Sequence, residues 1–139
     1  MQVIPTIYFP GLCTEAISFY RDVLGADVLS QLTAGGAQPA YLQPGSPGKI
    51  IRAALRIGDS TVYLSAGHHE TEPVFQGMSM VLHVDDEDEV RRILPALSAG
   101  GSIRVPLRAT AWAEHYANVV DRFGMFWTIE TGRPCRALA

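Results

Sequence analysis

One order of elements is written twice along this chain: strand, helix, then three strands. In the first half, residues 3–9 (VIPTIYF) are apolar and aromatic enough for a strand. Pro5, which lacks a backbone donor, makes that strand an edge or interrupts it. Ala16, Ile17, Phe19, Tyr20, Val23 and Leu24 recur at helical spacing. Thr14 is the candidate N-cap, Glu15 lies in the first turn, and Gly25 sits where a C-cap glycine belongs. Residues 26–33, 49–57 and 60–66 read as strands, the last two joined by a hairpin turn at Gly58-Asp59. In the second half, residues 78–84 read as a strand. Residues 85–101 read as a helix that opens on acids and ends in paired glycines, with Pro95 expected to kink or shorten it. SIRVPLR, HYANVVD and MFWTIET are three further strands. Two stretches have no periodicity, the Gly/Pro-rich loop 34–48 and the polar connection 67–77.

The two halves share the pattern of elements more than the letters, as an old internal duplication would leave them. The predicted class is α+β: two βαβββ modules, 1–67 and 77–132, with a tail at 133–139, in a single domain over 139 residues. Each module would build a curved, mixed, antiparallel-rich sheet. Its helix would cover one face, and the other face would line a shared cleft.

Composition narrows the partners. The net charge is −3 and Lys and Arg form no cluster, so no nucleic acid is expected. Apolar residues make up 47%, yet no apolar run approaches the ~18 residues of a membrane helix, so no membrane is expected. The N-terminus lacks a basic region and a small-residue cleavage site, which argues against a signal peptide. Cys13 and Cys135 fit no CxxC or Cys/His pattern and read as two unpaired thiols, which points to the cytoplasm. There is no G-x-S-x-G elbow, no P-loop and no G-x-G-x-x-G after a strand, and Cys13 lacks the context of a nucleophile.

Five stretches carry a resemblance: CTEAISFYRDVLGADV, IIRAALRIGDSTVYLSAG, SMVLHVDDEDEV, LSAGGSIRVPL and AWAEHYANVVDRFGMFWTIE. Taken in this order, they resemble the vicinal oxygen chelate superfamily, which includes glyoxalase I, extradiol dioxygenases, and bleomycin- and fosfomycin-resistance proteins. The chain looks most like its PhnB-like group. The resemblance implies a glyoxalase/bleomycin-resistance-like fold and a homodimer. In metal-dependent members it also implies a ligand on the first and last strand of each module, drawn from His, Glu, Gln or Asp.

Carried over by the flanking motifs, those four places fall on Pro5, on Tyr63 or Ser65, on Ser79 and on Thr128. None is an acid or a histidine. Many relatives have Glu at the Thr128 place, so Glu130, two residues on, is not the implied metal acid. It reads either as a solvated acid at the strand end or as a polar contact in the cleft. Arg52 stands where many relatives have histidine, and Ala54 where an acid often follows. A guanidinium is a poor metal ligand and a good anion partner.

The expected function is therefore binding of a small, possibly anionic, molecule in the cleft, with no metal and no cofactor. The candidate ligand-binding residues are Arg52, Tyr63, Trp112, Glu114, His115, Tyr116, Thr128 and Glu130. Trp112, Glu114, His115 and Tyr116 could hold a flat polar ligand or pack on a partner subunit. His83 shares the face of Ser79. His68-His69-Glu70 reads as a solvated loop. The alternatives are a metal-dependent lyase, isomerase or dioxygenase with ligands relocated to His83, Glu114, His115 and Glu130, and a structural or regulatory dimer without a ligand.

Overall fold

The computed structural model describes residues 1–34, 48–67 and 74–132. Most of the loop 34–48, the tract His68-His69-Glu70, the tail 133–139 and Cys135 lie outside them. The chain divides into two compact units, Met1–Pro73 and Val74–Ala139. The first contains β1 (Thr6–Tyr8), α1 (Cys13–Leu24), β2 (Asp27–Thr33), β3 (Ile50–Ile57) and β4 (Ser60–Ser65). The second repeats the order with β5 (Met80–His83), α2 (Glu87–Ser98), β6 (Ser102–Arg108), β7 (His115–Val120) and β8 (Phe126–Thr131). Each unit holds one four-stranded sheet, in the order β1-β4-β3-β2 or β5-β8-β7-β6. In each, the first strand runs parallel to the last and the other pairs are antiparallel. These are the mixed sheets that two βαβββ modules require.

Local chemistry explains most of the boundaries. β1 starts only after Pro5, on the sheet edge, where the missing N–H costs no ladder bond; the Pro5 carbonyl still accepts from Tyr63 N at 2.9 Å. Thr14 is not the cap of α1. The helix already begins at Cys13, and its N-cap, Leu12, makes no side-chain capping bond. Gly25 ends α1 in the left-handed conformation with φ 64°. Asp86 caps α2 by accepting from Glu89 N at 2.9 Å, while the Glu89 carboxylate reaches back to Asp85 N at 3.3 Å. Pro95 does not shorten α2, which continues to Ser98 before the paired glycines. The proline still forgoes the N–H bond to the Arg91 carbonyl that another residue would make there.

Each helix covers one face of its own sheet. Ala53, Leu55, Val62 and Leu64 pack with Ala16, Ile17 and Tyr20 of α1, all buried. Ala117, Val119, Trp127 and Ile129 pack with Val90, Ile93 and Leu97 of α2. The period of two along every strand sends these side chains to the helix and their neighbours to the opposite face. Full burial of one such apolar side chain stabilises by about 1.5–3 kcal/mol.

The turn between β7 and β8 is pinned by Asp121, only 2% exposed. Its Oδ1 accepts from Phe123 N at 2.9 Å and Met125 N at 3.0 Å, and its Oδ2 accepts from Trp127 Nε1 at 2.8 Å. One carboxylate thus closes the turn and fixes the strand that leaves it. Among the described residues no helix is long and apolar enough to cross a membrane.

Candidate functional site

The faces turned away from the helices carry the polar residues, and the two units match row for row. In the first, Thr6, Tyr63, Ala54 and Ser30 lie in one transverse row, with Tyr8 and Ser65 beside it. Arg52 is paired with Leu32 one step along β3. In the second, the corresponding row is Val81, Thr128, Asn118 and Val105, and the next is His83, Glu130, Tyr116 and Arg108. By this correspondence Thr128 stands for Tyr63, Glu130 for Ser65, His83 for Tyr8 and Tyr116 for Arg52.

The register moves two of the places expected for metal ligands. Thr6 rather than Pro5 shares the row of Tyr63, because Pro5 precedes β1 and Ile7 turns to the helix. Val81 rather than Ser79 lies beside Thr128. The four positions are then Thr6, Tyr63, Val81 and Thr128. Valine has no donor atom, and the hydroxyls are weak ligands unless ionised, so this set does not fit a divalent metal. Thr128, 6% exposed, also accepts from Asn118 Nδ2 at 3.2 Å. Among the described residues no group of three His, Cys, Asp or Glu side chains is placed to hold a metal ion.

Arg52 lies over the ring of Tyr63, its guanidinium carbon 4.7 Å from the ring centroid. Among the described residues it makes no ion pair. Arg56, four residues along the same strand, is instead held by Asp27 at 2.6 Å. A guanidinium held over a ring and outside any ion pair keeps N–H groups available for an acceptor.

In the second unit the expected group of Trp112, Glu114, His115 and Tyr116 divides. Tyr116 lies on the open face beside Glu130, and Trp112, 56% exposed on the turn before β7, meets it edge-on at 5.6 Å. His115 is on the other face. Its Nδ1 is 2.8 Å from the Thr131 hydroxyl and its Nε2 3.2 Å from the Glu87 carboxylate on α2. The period of two turns adjacent residues apart, so His115 joins a helix to a strand and does not share the face of Tyr116. Glu114 is exposed at the entrance to β7, where its N–H donates to the Thr131 carbonyl at 3.2 Å. Of the relocated ligands considered, only His83 and Glu130 stand together, with Nδ1 and Oε1 3.9 Å apart.

Sequence reasoning missed two working residues. Glu87, the partner of His115, looks like one more acid in an acidic helix start. Arg91 donates two hydrogen bonds to it, and these, more than His115, hold its carboxyl below the usual range. Asp121 could have been found from its place just before a Gly-containing turn, where Asp commonly accepts from backbone N–H groups ahead of it.

Two mixed sheets built from repeated βαβββ units, each with a polar face opposite its helix, are the fold that the resemblance to the vicinal oxygen chelate superfamily implies. A sequence profile of the family described as 3-demethylubiquinone-9 3-methyltransferase matches residues 1–130, and the chain belongs to that family. YjdN of Escherichia coli is 28% identical over 139 residues, 93% of this chain and 94% of that protein. The crystal structure of protein PA1353 from Pseudomonas aeruginosa is similar at 31% identity and a TM-score of 0.81, covering 96% of this chain and 99% of that one. A PhnB protein from Bacillus cereus shares the fold at 19% identity and a TM-score of 0.79, covering 95% of this chain and 100% of that one. The likeness of fold extends to a glyoxalase/bleomycin resistance protein/dioxygenase family enzyme from Burkholderia phytofirmans, at 18% identity and a TM-score of 0.62 over 91% of this chain and 94% of that one.

Proposed function

We propose that this chain is a cytoplasmic, homodimeric PhnB-like protein that binds a small anionic molecule through Arg52, without a metal at the superfamily's usual place. One observation carries the reading. Arg52 is stacked on Tyr63 at 4.7 Å with no carboxylate among the described residues to neutralise it, on a face whose remaining row is small or hydroxylic. Ala54, paired with Tyr63, leaves room beside the guanidinium for a ligand group. A carboxylate or phosphate would take the available N–H groups in a two-pronged hydrogen bond.

The test is a thermal-shift series with phosphate, phosphonates and small carboxylates on wild type and Arg52→Met, which keeps most of the side chain's bulk. Acidic compounds should stabilise wild type alone. Loss of the charge-assisted contact should weaken binding by roughly ten- to a hundredfold, the equivalent of ~1.5–3 kcal/mol. Stabilisation by neutral compounds only, or equal binding by Arg52→Met, would contradict the proposal.

The family description supports a second reading, methyl transfer. The same series therefore includes S-adenosylmethionine, and stabilisation by that compound would favour the second reading over the first.

A further inference from the structure

The row His83, Glu130, Tyr116 and Arg108 belongs to the second unit and plays no part in the reading built on Arg52. At its centre is a carboxylate with an incomplete set of partners. The Glu130 side chain is only 19% exposed. Among the described residues no N–H or O–H donates a hydrogen bond to it. His83 Nδ1 is 3.9 Å away, beyond hydrogen-bond range. A carboxylate so largely withdrawn from water is costly to leave without donors. On its other side is Tyr116, paired with Glu130 across β7 and β8 and buttressed edge-on by Trp112 at 5.6 Å.

We propose that this face seats a small organic cation, an alkylammonium or guanidinium group, between the Glu130 carboxylate and the ring of Tyr116. The N–H groups of such a cation supply the donors Glu130 lacks, and its charge meets the negative face of an aromatic ring. The same sheet already holds one of its own cations in this way: the guanidinium carbon of Arg104 lies 5.8 Å from the centroid of Phe126. An anion is disfavoured by Glu130. A metal ion lacks a third ligand among the described residues. The row's other polar side chains are His83 on β5 and Arg108 on β6, one strand beyond Tyr116. Arg108, the row's fixed cation, competes with a bound cation.

The probes are agmatine, which carries a guanidinium and an ammonium group, and tetramethylammonium, which has charge but no N–H. The readout is the indole N–H signal of Trp112, 56% exposed, resolved from that of Trp127, 1% exposed. Agmatine should move the Trp112 signal at millimolar concentration, and tetramethylammonium should bind more weakly. Glu130→Gln should weaken agmatine binding roughly tenfold or more, and Tyr116→Leu should weaken it as well. Arg52→Met should leave it unchanged, which separates this site from the anion site. An unmoved Trp112 signal, or equal affinity in Glu130→Gln, would overturn the proposal.

Discussion

His115 and Tyr116 are adjacent in sequence and work on opposite sides of one sheet. The imidazole of His115 bridges Thr131 at 2.8 Å and Glu87 at 3.2 Å beneath α2, whereas Tyr116 lies in the open row with Glu130. Nδ1 of His115 thus faces the Thr131 hydroxyl and its Nε2 the Glu87 carboxylate.

Stability and ligand binding should therefore separate between these two positions. His115→Ala should lower the stability of the fold by about 1 kcal/mol, since the contact with Glu87 is partly solvated. It should leave small-molecule binding close to that of wild type. Tyr116→Ala should do the reverse. Urea unfolding and ligand titration of the two variants check the pair.

Asp121 should be among the most sensitive polar positions in the chain. Asp121→Ala removes the acceptor of three buried donors, those of Phe123, Met125 and Trp127, and should cost about 3 kcal/mol or more. Asp121→Asn can keep the backbone bonds at Oδ1 but sets an amide N–H against the Trp127 indole N–H, and should cost about 1–3 kcal/mol. Denaturant titration gives both values, and the Trp127 indole signal should move in each variant.

The order of elements was legible because it rests on periodicity and punctuation. The helical recurrence from Ala16 to Leu24, Gly25 and the turn at Gly58-Asp59 all mark boundaries that the backbone obeys. Side-chain direction was less legible. A strand read one residue out of register puts every side chain on the wrong face, which is why Pro5 stood in for Thr6. Ser79 stood in for Val81 because parallel pairing with β8, which no local signal encodes, sets that row. His115 was grouped with Tyr116 by proximity in sequence, although the period of two separates them. Thr14 looked like a cap because capping residues are common at helix starts, yet the helix begins a residue earlier without one.

Cys13 should be inert near neutral pH. Burial against the core raises its thiol from an ordinary 9.0 to about 11. The reactive thiolate is then about a hundredfold scarcer than for an ordinary thiol at the same pH. In a Cys135→Ser background, iodoacetamide at pH 8 should label the denatured chain and spare the folded one. The same shift sets a direction for stability. Between 9.0 and about 11 the unfolded chain releases the thiol proton while the folded chain retains it. The unfolded state thus binds fewer protons, and the contribution of Cys13 to stability is full below 9.0 and falls as pH rises through that window. A Cys13→Ala variant should show a shallower loss of stability over the same range.

The proposed homodimer should depend on β2. This strand is one of the two edges of the first sheet, paired on one side with β3, and every one of its residues is exposed. Val28 is 38%, Leu29 51% and Leu32 59% exposed, so apolar side chains accompany an edge of unpaired backbone groups. Such an edge recruits other chains unless it is charged, bulged away or covered. Register breaks occur between Val28 and Ser30 and between Leu32 and Thr33, yet the strand keeps its apolar residues. Cover by a second copy resolves this conflict, and a specific interface would need to bury roughly 1,000 Å² or more in total. Light scattering at micromolar concentration should give twice the chain mass. Leu29→Lys with Leu32→Lys should shift it to the single-chain mass while circular dichroism stays unchanged, because neither side chain is buried in its own unit. Ile103→Lys, at a comparably exposed position on β6, should leave the dimer intact. A single-chain mass for wild type, or a dimer indifferent to the β2 substitutions, would remove β2 from the interface.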